Sequence, residues 1–297
     1  MKKNIALVLS SGGARGLAHI GVIEELENQG FEITSIAGTS MGALIGGFYA
    51  MGKLNEFKKW VKKLDKVEVF NLIDFTFSSQ GIIKGDRIFK KLRIFIDDCN
   101  IEDFKIPYAA IATDISNEEE VVFTSGSFYD AVRASLAIPT VFTPVHKGES
   151  IFVDGGVMNP VPANRVVRTE FDILTVVDVY ADIPFVQEEI LTKKETKILS
   201  TYEKNVQFFL DKLNEFFSSN QKPKLGYFRL VDAVTSAMVH RISALTMETY
   251  RPDILINISK KAGHTFDFYK ASQLIELGRQ AARKAIAEYK KQYDTEL

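Results

Sequence analysis

An α/β fold, with a mostly parallel central sheet flanked by helices, is what this 297-residue sequence predicts. Three observations carry that expectation. The run Ile5-Ala6-Leu7-Val8-Leu9 is continuously apolar without alternation, as suits a strand covered on both faces of a parallel sheet. A glycine-rich loop, Ser10 to Gly16, follows it, and behind the loop Leu17, Ile20, Val22, Ile23 and Leu26 recur at helical spacing until Gly30. The same unit then repeats: β-prone Ile33, Thr34 and Ile36, a glycine–serine turn, and a helix from about 41 to 51.

Further along, Asn55 to Lys66 reads as a basic amphipathic helix, with Phe57, Trp60, Val61 and Leu64 opposite Lys58, Lys59, Lys62 and Lys63. Such a helix can lie on an anionic membrane surface or present a solvated lysine face over a buried stripe. Residues 70 to 85 have little period and are expected as loop, and Asp86 to Ile96 as helix. Pro107 to Asp114 and Glu120 to Thr124 read as strands around an acidic turn. A helix from Ser127 to Leu136 must end before Pro139. Ile151-Phe152-Val153 is a short buried strand that delivers Asp154-Gly155-Gly156, and Ile173 to Val179 is another strand.

Beyond residue 185 the pattern is helical. Leu199, Tyr202, Val206, Phe209, Leu210, Leu213, Phe216 and Phe217 follow steps of three and four, and Ser218 to Lys224 reads as an inter-helix turn. A helix over Phe228 to Glu248, a strand over Ile254 to Ile258 and a final helix over Lys270 to Lys291 complete the chain.

Composition narrows the function. Hydrophobic residues make up 46% and charged residues 25%, as in ordinary globular proteins. A net charge of −1 offers no global attraction for nucleic acid. The single cysteine, Cys99, cannot form an internal disulfide, which fits a reducing compartment. Met1-Lys2-Lys3 before the first apolar run imitates a signal peptide, but the run is short and ends in a glycine turn, so a buried strand is the better reading. The uncharged window Ile33 to Gly52 is rich in glycine and hydroxyl residues and reads as strand, turn and buried helix rather than a membrane span. The expectation is a soluble, cytoplasmic protein.

The chemistry centres on Gly38-Thr39-Ser40-Met41-Gly42, where one serine stands between two glycines at a strand-to-helix turn. A serine at such an apex is held above the sheet edge, at the positive end of the following helix. Its hydroxyl needs a base, and acyl transfer also needs donors aimed at the developing oxyanion. Gly12 and Gly13 can supply backbone N–H groups, and Arg15 can add charge or brace the loop. Ser11 to Gly16 matches neither a dinucleotide fingerprint nor a phosphate-binding P-loop. Of four histidines His264, after the late strand, lies where the order Ser40, Asp178, His264 of an α/β-hydrolase triad would want it. Asp154 is the stronger candidate base: it ends a buried strand, two glycines allow close approach, and desolvation would raise its proton affinity.

Together, Gly12-Gly13-Ala14-Arg15-Gly16, Gly38-Thr39-Ser40-Met41-Gly42, Ala134-Ser135-Leu136-Ala137-Ile138-Pro139 and Asp154-Gly155-Gly156 resemble the four blocks of the patatin-like phospholipase family, in order, over roughly residues 4 to 182. The resemblance implies a patatin-like three-layer sandwich with an added C-terminal helical region. It also implies Ser40 as nucleophile, Asp154 as base of a Ser-Asp dyad, and Gly12, Gly13 and Arg15 as oxyanion hole, with Gly38 and Gly42 shaping the elbow. The implied activity is hydrolysis of acyl esters of phospholipids or related lipids, without metal or cofactor, with peripheral membrane contact allowed and oligomeric state open. On this reading residues 1–297 are a single catalytic domain, and 186–250 a helical insertion or lid-like subregion within it. A non-catalytic lipid-binding protein on the same fold is the remaining alternative. One departure stands out: Ser11 replaces the glycine that usually opens the family's loop, and would cost about 1 kcal/mol if the position required positive φ.

Overall fold

The computed structural model describes residues 3–78, 81–185 and 227–294, with residues 204, 206, 208 and 209. Its main sheet is built on five parallel strands: β1 (Lys3–Leu9), β2 (Phe31–Thr39), β5 (Tyr108–Asp114), β10 (Ile173–Ala181) and β11 (Ile254–Ser259). The order is β11-β10-β1-β2-β5-β9-β8, where β8 (Val145–Lys147) and β9 (Ser150–Asp154) run antiparallel and β6 (Glu119–Phe123) pairs with β5. A second, three-stranded sheet joins β3 (Phe75–Ser78), β4 (Gly81–Ile83) and β7 (Thr140–Phe142).

The apolar run of β1 is buried on both faces, as its lack of alternation requires. Ile5, Leu7 and Leu9 face α1 (Ala18–Asn28), α2 (Met41–Ala50) and α8 (Ala271–Asp294) in the larger core. Ala6 and Val8 face the other way, toward Val161, Ala163 and Val166, with Met247 of α7 (Tyr227–Tyr250) packed beside them. The predicted class therefore holds: a mostly parallel sheet between helical layers, with helices toward the C-terminus.

Between these elements the structure adds what the periodicity missed. The stretch expected as loop from 70 to 85 contains the end of α4 (Lys66–Leu72) and the strands β3 and β4. Asp65 and Glu68 form a reciprocal capping box at the start of α4, which explains why so short a helix begins there. The three-residue strands β4, β7 and β8 are too short for any alternation to be read.

The basic helix proves shorter, α3 (Leu54–Val61), and its apolar face is occupied. Phe57 stacks on Phe48 at 4.8 Å and Trp60 packs on Phe95 at 5.6 Å. The solvated lysine face over a buried stripe is thus the arrangement found, and α3 has no free apolar face to insert into a bilayer. Among the described residues no helix is long and apolar enough to cross a membrane. Of the apolar stripe expected after residue 185, Val206 is buried with Val69, Ile73 and Ile83, and Phe209 meets the rings of Phe70 and Phe75. The rest of that stripe, and the turn at 218–224, lie outside the described residues.

Candidate active site

Parallel β1 and β2, with antiparallel β9 beyond β5, carry three chain turns to one edge of the sheet. β2 ends in Ser40, which adopts φ 56° and ψ −122° before α2 begins. Positive φ is costly for a residue with a side chain, and such strain persists only where the surroundings impose it. Here the glycines impose it by proximity: a Cβ on Gly38 would lie 2.5 Å from the Gly42 carbonyl, and one on Gly42 would lie 2.2 Å from the Leu9 carbonyl oxygen. The Ser40 N–H donates to Ser135 Oγ at 2.8 Å, a further restraint on the turn.

Asp154 reaches the same point from β9, which lies beyond β5 with Asp154 opposite Ala112. Ser40 Oγ donates to Asp154 Oδ2 at 2.5 Å, and Gly156 N–H donates to Asp154 Oδ1 at 2.7 Å. Burial pushes the Asp154 carboxyl up to about 6, against the opposing pull of these two hydrogen bonds. It is therefore a stronger base than an exposed aspartate, yet largely ionised at neutral pH. The Asp154 N–H in turn donates to Ala137 O at 2.9 Å, so the segment from Ser135 to Ala137 ties both members of the pair.

The glycine loop supplies the third turn. Gly13 has φ 53°, and a Cβ on Gly12 would lie 2.1 Å from Val179 Cγ2, so each position needs glycine for a separate reason. The Gly12 and Gly13 N–H groups have no acceptor among the described residues. Ser11 is absent from the residues with positive φ, so the expected strain does not arise: the position that needs left-handed backbone is Gly13. Arg15 sends Nη1 to the Gly263 carbonyl at 2.7 Å and stacks on the Tyr180 ring at 4.4 Å. Of the two roles open to it in the sequence, this geometry is that of a brace.

The triad alternative does not assemble. Asp178 accepts from the Tyr180 N–H at 2.8 Å, the His264 backbone N–H donates to Asp267, and neither side chain is bonded to Ser40. His19 is wholly buried, and burial pulls it down to about 4, leaving a neutral ring. No group of histidine, cysteine and acidic side chains that could hold a metal occurs among the described residues.

Two cavities meet at this site. One, of about 630 Å³ including its open mouth, holds Ser40 and Asp154 and is lined by Ser11, Gly12, Tyr180, Thr235, Ser236 and Val239 among others. The other, of about 950 Å³ on the same measure, is walled by Met41, Leu44, Phe57, Trp60, Leu92 and Leu136 and further apolar side chains. Gly13, Ile138 and Thr265 line both. Sequence reasoning missed Ser135 as a partner of Ser40. Its signal was its place in the Ala134-Ser135-Leu136-Ala137-Ile138-Pro139 block, which marks the segment but not its partner.

Comparison with known proteins gives a consistent family. The model of the patatin-like phospholipase family matches residues 7–167. An uncharacterized NTE family protein of Mycobacterium tuberculosis is 28% identical, over 95% of this chain and 91% of that protein. Lysophospholipase NTE1 of Kluyveromyces lactis is 32% identical over 183 residues, which are 59% of this chain and 12% of that much longer protein. Among solved structures, VipD from Legionella pneumophila aligns with 97% of this chain and 67% of its own, at 13% identity and a TM-score of 0.49.

Proposed function

The chain belongs to the patatin-like phospholipase family, and on that premise we propose that it hydrolyses acyl esters of lipids through an acyl-Ser40 intermediate. The observation that carries the reading is the buried hydrogen bond from Ser40 Oγ to Asp154 Oδ2. As Oγ attacks the ester carbonyl carbon, its proton passes to Asp154. The charge that develops on the carbonyl oxygen is met by the Gly12 and Gly13 N–H groups, which have no acceptor among the described residues, each worth on the order of 3 kcal/mol in such a role. Collapse of the tetrahedral intermediate expels the alcohol, which takes the proton back from Asp154. Water then repeats the sequence on the acyl-enzyme, with Asp154 as its base, and releases the fatty acid.

Substrate preference follows from the two cavities. The apolar one can take an acyl chain out of water, at about 0.8 kcal/mol per buried methylene. The pocket around Ser40 is lined in part by the hydroxyl-bearing residues Ser11, Tyr180, Thr235 and Ser236 and suits the alcohol side of the ester. Residues 1–297 act on this reading as one catalytic domain, and of the subregion 186–250 the described helix lies beside the pocket. That helix, α7, contributes Thr235, Ser236 and Val239 to the pocket and leaves Leu230, Val234 and Met238 exposed, one turn apart from each other. That stripe supports peripheral contact with lipid aggregates.

The test is esterase activity of purified protein on a series of acyl esters. Wild type should be active and Ser40→Ala inactive. Activity unchanged in Ser40→Ala would end the proposal.

A further inference from the structure

The loop between β1 and α1 opens with two serines, and the proton transfers proposed above use neither. Ser10 is buried at 1% exposure and its hydroxyl is bonded on both sides. Its Oγ accepts from the Val179 N–H at 3.1 Å and donates to the Ser11 carbonyl oxygen at 3.1 Å. Because Val179 occupies a lone pair, the hydroxyl proton is directed to Ser11.

The Ser11 carbonyl and the Gly12 N–H belong to one peptide unit. That unit is planar and trans, so its C=O and N–H point in opposite directions. A hydrogen bond that holds the carbonyl toward Ser10 therefore holds the N–H away from it. Hydrogen bonds in series also polarise one another, so a peptide whose carbonyl accepts is a stronger donor at its N–H.

The preceding peptide unit is held just as firmly. His19 Nε2 lies 2.9 Å from the Ser10 carbonyl oxygen, which can only accept, so the ring proton is on Nε2. The Ser11 N–H of the same unit donates to the Pro160 carbonyl at 2.9 Å. Three partners, His19, Pro160 and the Ser10 hydroxyl, thus hold two consecutive peptide units, and among the described residues the one polar group of these units left over is the N–H of Gly12, a residue that lines the pocket with Ser40.

We infer that Ser10 is a positioning residue: its hydroxyl, relayed from Val179, aims the Gly12 N–H at the ester carbonyl and strengthens it as an oxyanion donor. The inference rests on the acyl-Ser40 reading and concerns the transition state only. Ser10 touches neither ester nor acyl chain, so its loss should leave ground-state binding alone.

Full-length Ser10→Ala and Ser10→Thr are compared with wild type in three measurements: kcat and KM on a soluble acyl ester, the inhibition constant of an acyl trifluoromethyl ketone, and melting temperature. The ketone adds to a serine hydroxyl to give a tetrahedral alkoxide that occupies the oxyanion position. Ser10→Ala should lower kcat by about 10- to 100-fold with KM within about 2-fold. Ketone affinity should fall by the same factor as kcat/KM, and Ser10→Thr should restore both. If either variant fails to fold, Ser10→Cys, with its weaker donor, takes its place and should fall between alanine and wild type.

Ser10→Ala also strips the buried Val179 N–H of its acceptor, so a lower melting temperature is expected in any case. Ile286→Val, a core change in α8, controls for this by lowering stability without moving ketone affinity. Wild-type ketone affinity in Ser10→Ala, or a fall that tracks melting temperature in both variants, overturns the inference. Should Ser40→Ala keep full activity, the acyl-serine reading itself fails. Should Ser40→Ala be dead while Ser10→Ala binds the ketone like wild type, only the role of Ser10 fails.

Discussion

The two cavities that share Gly13, Ile138 and Thr265 are made in different ways. The larger is walled by side chains from helices and strands, Leu44 of α2, Phe57 and Trp60 of α3, Leu92 of α5 (Asp86–Arg93) and Phe142 of β7, each presenting its apolar face. The smaller is made where strands end: the loop after β1, the turn after β2 and the turn after β9 bring backbone N–H groups, one hydroxyl and one carboxylate together. In the first, volume and apolar surface matter and individual residues are exchangeable. In the second, single atoms are placed by hydrogen bonds, and exchange of one should remove the chemistry. Substitutions on the two sides should therefore differ in kind.

The largest effect belongs to the polar side. Ser40→Ala should lower kcat/KM by about 10³-fold or more, measured on a short soluble ester so that chain binding does not confuse the result. Asp154→Asn should cost between about 10² and 10⁴ in kcat, the range for loss of a positioned base. Its pH profile adds a sharper mark. With a carboxyl near 6, wild-type kcat should rise with pH and level off above that value, and the asparagine variant should lose this rise. A rise retained in Asp154→Asn would assign the titration to another group.

On the apolar side the effect should be smaller and selective. Leu44→Trp fills part of the chain cavity, so kcat/KM should fall on the order of 10-fold for long-chain esters and stay within about 2-fold for the shortest. A parallel loss at every chain length would mean that the substitution disturbs Ser40 and that the division between the cavities is false.

Smallest, and opposite in sign, are the effects on stability of two buried titratable groups. The Asp154 carboxyl is raised, so the folded state holds its proton more tightly; the resulting stabilisation is present below about 3.8 and is lost as pH rises through about 6. His19 is lowered from 6.5 to about 4, so the unfolded chain takes up the proton first, and stability is lost as pH falls from 6.5 toward 4. Each is worth on the order of 3 kcal/mol at most. Asp154→Asn should therefore melt higher than wild type above pH 6, with the gap closing toward pH 4. A gap independent of pH would show that Asp154 is not the desolvated carboxylate described.

The same contrast explains what could be read in the sequence. β1 was legible because a strand buried on both faces in a parallel sheet is driven to be continuously apolar, and β2 because β-branched Ile33, Thr34 and Ile36 lead into a glycine–serine turn. Ser40 and Asp154 were legible because the turns that hold them need glycine, at two positions flanking Ser40 and at the two that follow Asp154, and glycine spacing survives in one dimension. Arg15 was not: its guanidinium could be given a charge, but only the fold shows that the Gly263 carbonyl, nearly the whole chain away, receives it. Ser135 and Ser10 were illegible for the same reason, since a serine in a helix or a loop is unremarkable until its partner arrives from elsewhere. The apolar cavity draws on α2, α3, α5 and β7 at once, and no window of sequence contains it. Nor did periodicity register β4, β7 and β8, each of three residues. By contrast, the start of α4 was marked by Asp65 and Glu68 at capping-box spacing, a signal that the neighbouring irregularity masked.

The most direct test of the Ser40–Asp154 pair is covalent labelling by a long-chain alkyl fluorophosphonate, with the modified residue mapped by mass spectrometry and the rate followed against pH. One adduct per chain is expected, on Ser40, at a rate that rises with ionisation of a group near 6 and falls by about 10² or more in Asp154→Asn. Labelling at another residue, or no labelling by an enzyme that still hydrolyses esters, would contradict the account.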